Sequence, residues 1–136
     1  MRFGSMTATC PAAKLAPTES RAKRMTARVI VAFSTCPDEA VARHIAEALV
    51  TEKLATCVNR IANVRSSYIW DGRLQDDGEI LLIIKSTAER LPAMRARLID
   101  LHPYDLPELV VTDVISGNEP YLDWIRRGVQ SEDIRQ

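Results

Sequence analysis

The sequence is poor in the residues that usually carry chemistry. It has two histidines, three cysteines, two tryptophans, three tyrosines and two phenylalanines in 136 residues. Two histidines exclude a multi-histidine metal cage. Cys10, Cys36 and Cys57 form no Cys-x-x-Cys pair and no disulfide framework, a usage that suits a reducing compartment such as the cytoplasm. Five glycines are too scattered for a phosphate-cradling loop, and neither a His-Glu-x-x-His pair nor a Gly-x-Ser-x-Gly elbow is present. Apolar runs such as residues 80–84 fall far short of the roughly 20 residues of a membrane-spanning helix. An excess of one charge is lacking too: Lys+Arg and Asp+Glu are 18 each.

What is present is a globular composition, 46% hydrophobic and 26% charged, of one-domain length. The charge is unevenly spread. Residues 1–26 hold Arg2, Lys14, Arg21, Lys23 and Arg24 against Glu19, so five against one gives +4 and leaves −4 for residues 27–136. A mildly acidic domain has no electrostatic footprint for nucleic acid. The leading segment lacks a secretory apolar stretch and has a faint likeness to an organelle transit peptide. Its low hydrophobicity fits a disordered basic extension better, with 27–136 as a single domain.

Hydrophobic periodicity orders that domain. Residues 28–34 are β-branched and apolar on both faces, as in a strand. Thr35 or Cys36 then caps a helix, with Pro37 in its first turn and Val41, Ile45, Ala48 and Leu49 at helical spacing. A second strand covers 55–61 and continues over 66–71 past a bend near Asn63. Asp71-Gly72 is a type I′ hairpin signal, and 78–86 is the third strand. A helix capped near Ser86 or Thr87 carries Leu91, Met94, Leu98 and Leu101 on one face and ends at His102-Pro103. Residues 109–115 form the fourth strand, and Asn118 caps a last helix with Tyr121, Leu122, Trp124, Ile125 and Val129.

This order predicts an α+β fold: a ferredoxin-like βαββαβ sandwich with an extra C-terminal helix. Right-handed crossovers put both main helices on one face of the sheet. The third and fourth strands are nevertheless apolar at consecutive positions. A short last helix cannot cover a whole second face, so another subunit is the simplest cover.

Few residues stand out chemically. His102 lies in the loop His102-Pro103-Tyr104-Asp105-Leu106-Pro107-Glu108, which two prolines stiffen. His, Tyr and Glu there can hold a metal, a polar ligand or each other. Cys36, read at a helix N-terminus, is the best thiolate candidate. Glu79 leads directly into the apolar third strand, whereas Asp76 and Asp77 suit a solvated hairpin. His44 reads as surface, Cys57 as core, and Trp124 as a core anchor or pocket wall.

At these residues the sequence closely resembles the CutA family of divalent-cation tolerance proteins. The matching stretches are Pro37-Asp38-Glu39-Ala40, 52–59, Tyr68-Ile69-Trp70-Asp71-Gly72, Glu79 with Lys85-Ser86-Thr87, His102-Pro103-Tyr104 with Pro107-Glu108, and Tyr121-Leu122-Asp123-Trp124. The resemblance implies a tight homotrimer with an architecture like that of the PII signalling proteins. It also implies tolerance to copper and other divalent cations, and ligand clefts between subunits. Carried over by motif, the cleft residues are Glu79, Lys85, His102, Tyr104, Glu108 and Trp124. The chain departs from the family's copper pattern at Ser34, where some members have cysteine, and at Leu101, where some have a second histidine. Only His102 is left of that set, with Cys36 as a substitute ligand.

Two functions follow from the resemblance. One is a copper or divalent-cation tolerance trimer that binds metal weakly through His102 and Cys36. The other is a PII-like scaffold whose cleft receives a small ligand or a partner protein, with Lys85 supplying charge. Neither involves an organic cofactor, a nucleic acid or a membrane. An enzyme is not expected, because no nucleophile–base pair is identifiable.

Overall fold

The structure, a computed structural model, describes residues 26–130. The expected basic extension and Cys10 lie outside the described residues, apart from Thr26. The elements are β1 (Val29–Cys36), α1 (Glu39–Thr51), β2 (Cys57–Trp70), β3 (Arg73–Thr87), α2 (Leu91–Leu101), β4 (Val110–Asp113) and α3 (Glu119–Gly128). A 3-10 turn, Ala88–Arg90, precedes α2. The sheet order is β2-β3-β1-β4 with antiparallel neighbours, the ferredoxin-like arrangement.

Both main helices pack on one face, as right-handed crossovers require. Ile30, Ala32 and Cys36 of β1 and Leu82 and Ile84 of β3 meet Ala42, Ile45 and Leu49 of α1 and Met94 and Leu98 of α2. These side chains are essentially fully buried, so this single layer is the main core. The opposite face carries a smaller cluster at one end, Val29 with Leu122 and Ile125 of α3. Bonds that fasten α3 there include Arg126 Nε donating to the Ala27 carbonyl at 2.8 Å and the Thr56 hydroxyl donating to the Ile125 carbonyl at 2.5 Å. The rest of that face stays open. Val31, Phe33, Leu81 and Ile83 are half-buried, and Ile61 and Val110 are exposed.

The start of α1 differs from the sequence expectation. β1 runs on through Thr35 and Cys36, which pair with Leu81 and Ile80 of β3. The cap is Asp38, whose carboxylate accepts from the Val41 amide at 2.9 Å. Asp is at least as good a cap as Thr, and pairing with apolar β3 residues holds the preceding two in the strand. Cys36 is therefore a buried strand residue and not a helix N-terminal one.

β2 and β3 form a long hairpin. A bulge between Ile61 and Val64, with Asn63 at φ 65°, bends it where the sequence signalled a bend. Asp71 and Gly72 both have positive φ, 54° and 73°, as a type I′ turn needs. β1 pairs with β3 only over residues 80–87, so the rest of the hairpin extends from the sheet as an arm.

Candidate functional site

The arm and the loop after α2 enclose the site. A cleft of about 620 Å³ is lined by Thr35 of β1, Ser66, Ser67, Tyr68 and Trp70 of the arm, Glu79 of β3, and Tyr104, Asp105, Leu106 and Glu108 of the loop. Glu79 sits where the arm leaves the sheet, on the face opposite the main core. Tyr104 donates its hydroxyl proton to Glu79 Oε2 at 2.7 Å, and Thr35 donates to Glu108 Oε1 at 3.2 Å. Tyr68 donates to Asp77. Burial, and then the bond to Glu79, push the Tyr104 pKa up, so its phenol is a neutral donor across the ordinary pH range.

His102 holds the loop in place from behind. It is buried, and its Nε2 lies 2.8 Å from the Thr35 carbonyl oxygen while the Tyr104 amide donates to Nδ1 at 3.2 Å. A carbonyl can only accept and an amide N–H can only donate. The ring is thus the neutral tautomer with its proton on Nε2, and both nitrogens are used. Its ring stands 4.7 Å from that of Tyr104. What His102 does in this geometry is aim Tyr104 at Glu79.

The two residues assigned to metal do not fit that role. His102 has no free lone pair to offer. Cys36 is fully buried, and burial, followed by the charges of Glu79 and Asp38, pushes its thiol up to about 12. A metal-binding cysteine must be reachable by the ion, and this one is packed into the main core with no exposed surface. No group of three or more His, Cys, Asp or Glu able to hold a metal ion occurs among the described residues.

The remaining cleft residues of the sequence reading divide into two groups. Glu79, Tyr104 and Glu108 come together as described. Lys85 is six residues further along β3, about 20 Å at the rise of a strand. Its amine reaches the Tyr121 hydroxyl at 3.2 Å, and Trp124 stacks near Tyr121 at 5.5 Å between centroids. Within one chain Lys85 and Trp124 thus belong to the α3 end of the open face. As cleft residues the sequence reading missed Thr35, Ser66, Ser67, Asp105 and Leu106, and it used Tyr68 and Trp70 only as motif markers. The signal for the last two was the bend at Asn63, which turns the arm towards the loop.

The chain matches the model of the CutA1 divalent ion tolerance protein family over residues 30–128. The divalent-cation tolerance protein CutA of Thermus thermophilus is 46% identical over 96 residues, 71% of this chain and 93% of that protein. Protein CutA of Homo sapiens is 42% identical over 103 residues, 76% of this chain, which spans only 58% of the human protein's length. The solved CutA1 of Thermus thermophilus superposes with a TM-score of 0.73 at 43% identity, covering 75% of this chain and 99% of that one. CutA1 of Oryza sativa does so at 0.76 and 34% identity, covering 79% and 99%. With a family model matched across the whole sheet and all three helices, and relatives this similar along it, the chain belongs to the CutA1 divalent ion tolerance family.

Proposed function

We propose that this chain is a trimeric, non-enzymatic cation-tolerance protein that acts as a PII-like ligand-binding scaffold, with the Glu79–Tyr104 cleft as its receiving site. One observation favours this over direct copper binding: both nitrogens of His102 are already bonded within the chain. Any divalent cation is then held weakly by carboxylate oxygens, and its influence on tolerance is indirect. A pocket of about 620 Å³ suits a small molecule, since ligand pockets run from about 300 to 1,000 Å³.

Calorimetric titration with Cu(II) tests the choice. Parent and His102→Gln proteins should give the same weak heat, and Cys36→Ala should not reduce it. If His102→Gln loses most of the signal while remaining folded, the metal site is restored and the scaffold reading is wrong. Mass spectrometry of small molecules that co-purify with the protein, compared between parent and Glu79→Gln, would identify the natural ligand.

A further inference from the structure

We propose that the cleft's ligand is a small organic ammonium ion, a primary alkylamine whose charged head meets Glu79. This rests on the reading that the cleft receives a small molecule, and it adds the chemical class. The lining carries three carboxylates, Glu79, Asp105 and Glu108, and three aromatic rings, Tyr68, Trp70 and Tyr104. No lysine, arginine or histidine lines it. An anion would meet uncompensated negative charge, so the field selects a cation.

Glu79 makes that selection local. It is only 8% exposed, although it lies within β3 where that strand borders the cleft. Tyr104 satisfies Oε2, and among the described residues no hydrogen bond reaches Oε1. Among the described residues only the Ser34 hydroxyl is a buried side-chain polar atom without a partner, so Oε1 is open to the cleft. A cation with N–H donors that enters the cleft can therefore bond to Oε1.

The walls decide between kinds of cation. A metal ion needs several oxygen, nitrogen or sulfur ligands converging on one point, and no such group of three occurs among the described residues. Aromatic faces offer no ligands to a hard metal ion, but they attract an organic cation through the ring quadrupole. Three N–H donors of an alkylammonium match carboxylate oxygens on one side, and its methylenes pack on Trp70 and Leu106. In the single chain Trp70 and Leu106 are 50% and 71% exposed, and both present apolar surface to the cleft.

The test is titration of the full chain with 1,4-diaminobutane, read by calorimetry and by tryptophan fluorescence, with Trp70→Phe identifying which indole responds. We expect a saturable response that weakens with added salt, none to the dicarboxylate glutarate, and a loss of at least roughly tenfold in affinity for Glu79→Gln. Circular dichroism and light scattering establish that this variant folds and assembles. If it does not, Glu108→Gln is the second variant, with the same expected direction. Unchanged affinity in a folded variant, or a preference for glutarate, overturns the proposal. Silence towards the amine, with other small molecules still changing Trp70 emission, overturns the amine class and leaves the scaffold reading standing. Silence towards every class of small molecule overturns both.

Discussion

A cysteine at the end of a strand shows how burial converts a reactive group into an inert one. The Cys36 thiol has no exposed surface, and Glu79 and Asp38 add negative charge nearby. All three effects disfavour the thiolate, raising the pKa from 9.0 to about 12. The sign of the linkage follows. In the unfolded chain the thiol loses its proton near pH 9, while in the folded chain it keeps it to about 12. The folded state binds the extra proton within that window, so this contribution to stability is complete below about pH 9 and is lost as pH rises towards 12. Denaturant melts across that range should show Cys36→Ala losing stability less steeply than the parent, whatever the cavity costs it at neutral pH. Parallel slopes would mean that the folded thiol titrates normally. Ser34, two residues earlier on the same face, is equally buried, and its hydroxyl has no hydrogen-bond partner. A buried orphan hydroxyl costs about 1–3 kcal/mol, so this position is better suited to an apolar side chain than to serine.

At the scale of elements the sequence was largely legible, because alternation and helical spacing are local signals. The hairpin turn was written in Asp71-Gly72 and the bend in Asn63. The start of α1 was misread because three residues around Pro37, namely Thr35, Cys36 and Asp38, offer cap-like chemistry. What decided among them was cross-strand pairing with β3, which no local pattern reports. The site was half legible for the same reason: Tyr104 and Glu108 announce themselves in a stiff polar loop, but Thr35 joins them through the sheet register. The packing of α3 is a further non-local feature. At Gly128 an added Cβ would lie 2.5 Å from Thr56 Cγ2 and 2.6 Å from its hydroxyl oxygen, the group that bonds the Ile125 carbonyl. Alanine there gains helix propensity worth at most about 1 kcal/mol. The overlap, which forces α3 off the sheet, costs about 1–3 kcal/mol. Gly128→Ala should therefore lower the melting temperature by several degrees, and Thr56→Ser, which removes the nearer methyl, should recover part of the loss in the double variant. A melt unchanged by Gly128→Ala would show that α3 stands clear of Thr56.

For the whole molecule the question is what covers the open face. Its centre is apolar: Phe33 and Ile83 pair across β1 and β3, Val110 lies beside Phe33, and Ile61 beside Leu81. Val110 is 58% and Ile61 43% exposed, and on the arm Ile69 and Leu74 reach 64% and 74%. A patch of this kind on one isolated chain marks an interaction surface. β2 and β4 are both sheet edges, and edges left open are prone to pairing with another chain. Closed symmetric assembly removes both liabilities together. The expected outcome is a homotrimer, with light scattering at micromolar concentration giving about three times 15.2 kDa. A substitution separates this from mere surface decoration. Val110→Glu changes a side chain that is mostly in solvent when the chain is alone, so a monomer would tolerate it within about 0.5 kcal/mol. In a trimer that buries the open face, it places a carboxylate in an apolar interface, and the assembly should dissociate or melt far earlier. A parent protein that runs as a monomer, or a Val110→Glu variant that assembles and melts like it, would mean that the open face is left to solvent and that the cleft works within a single chain.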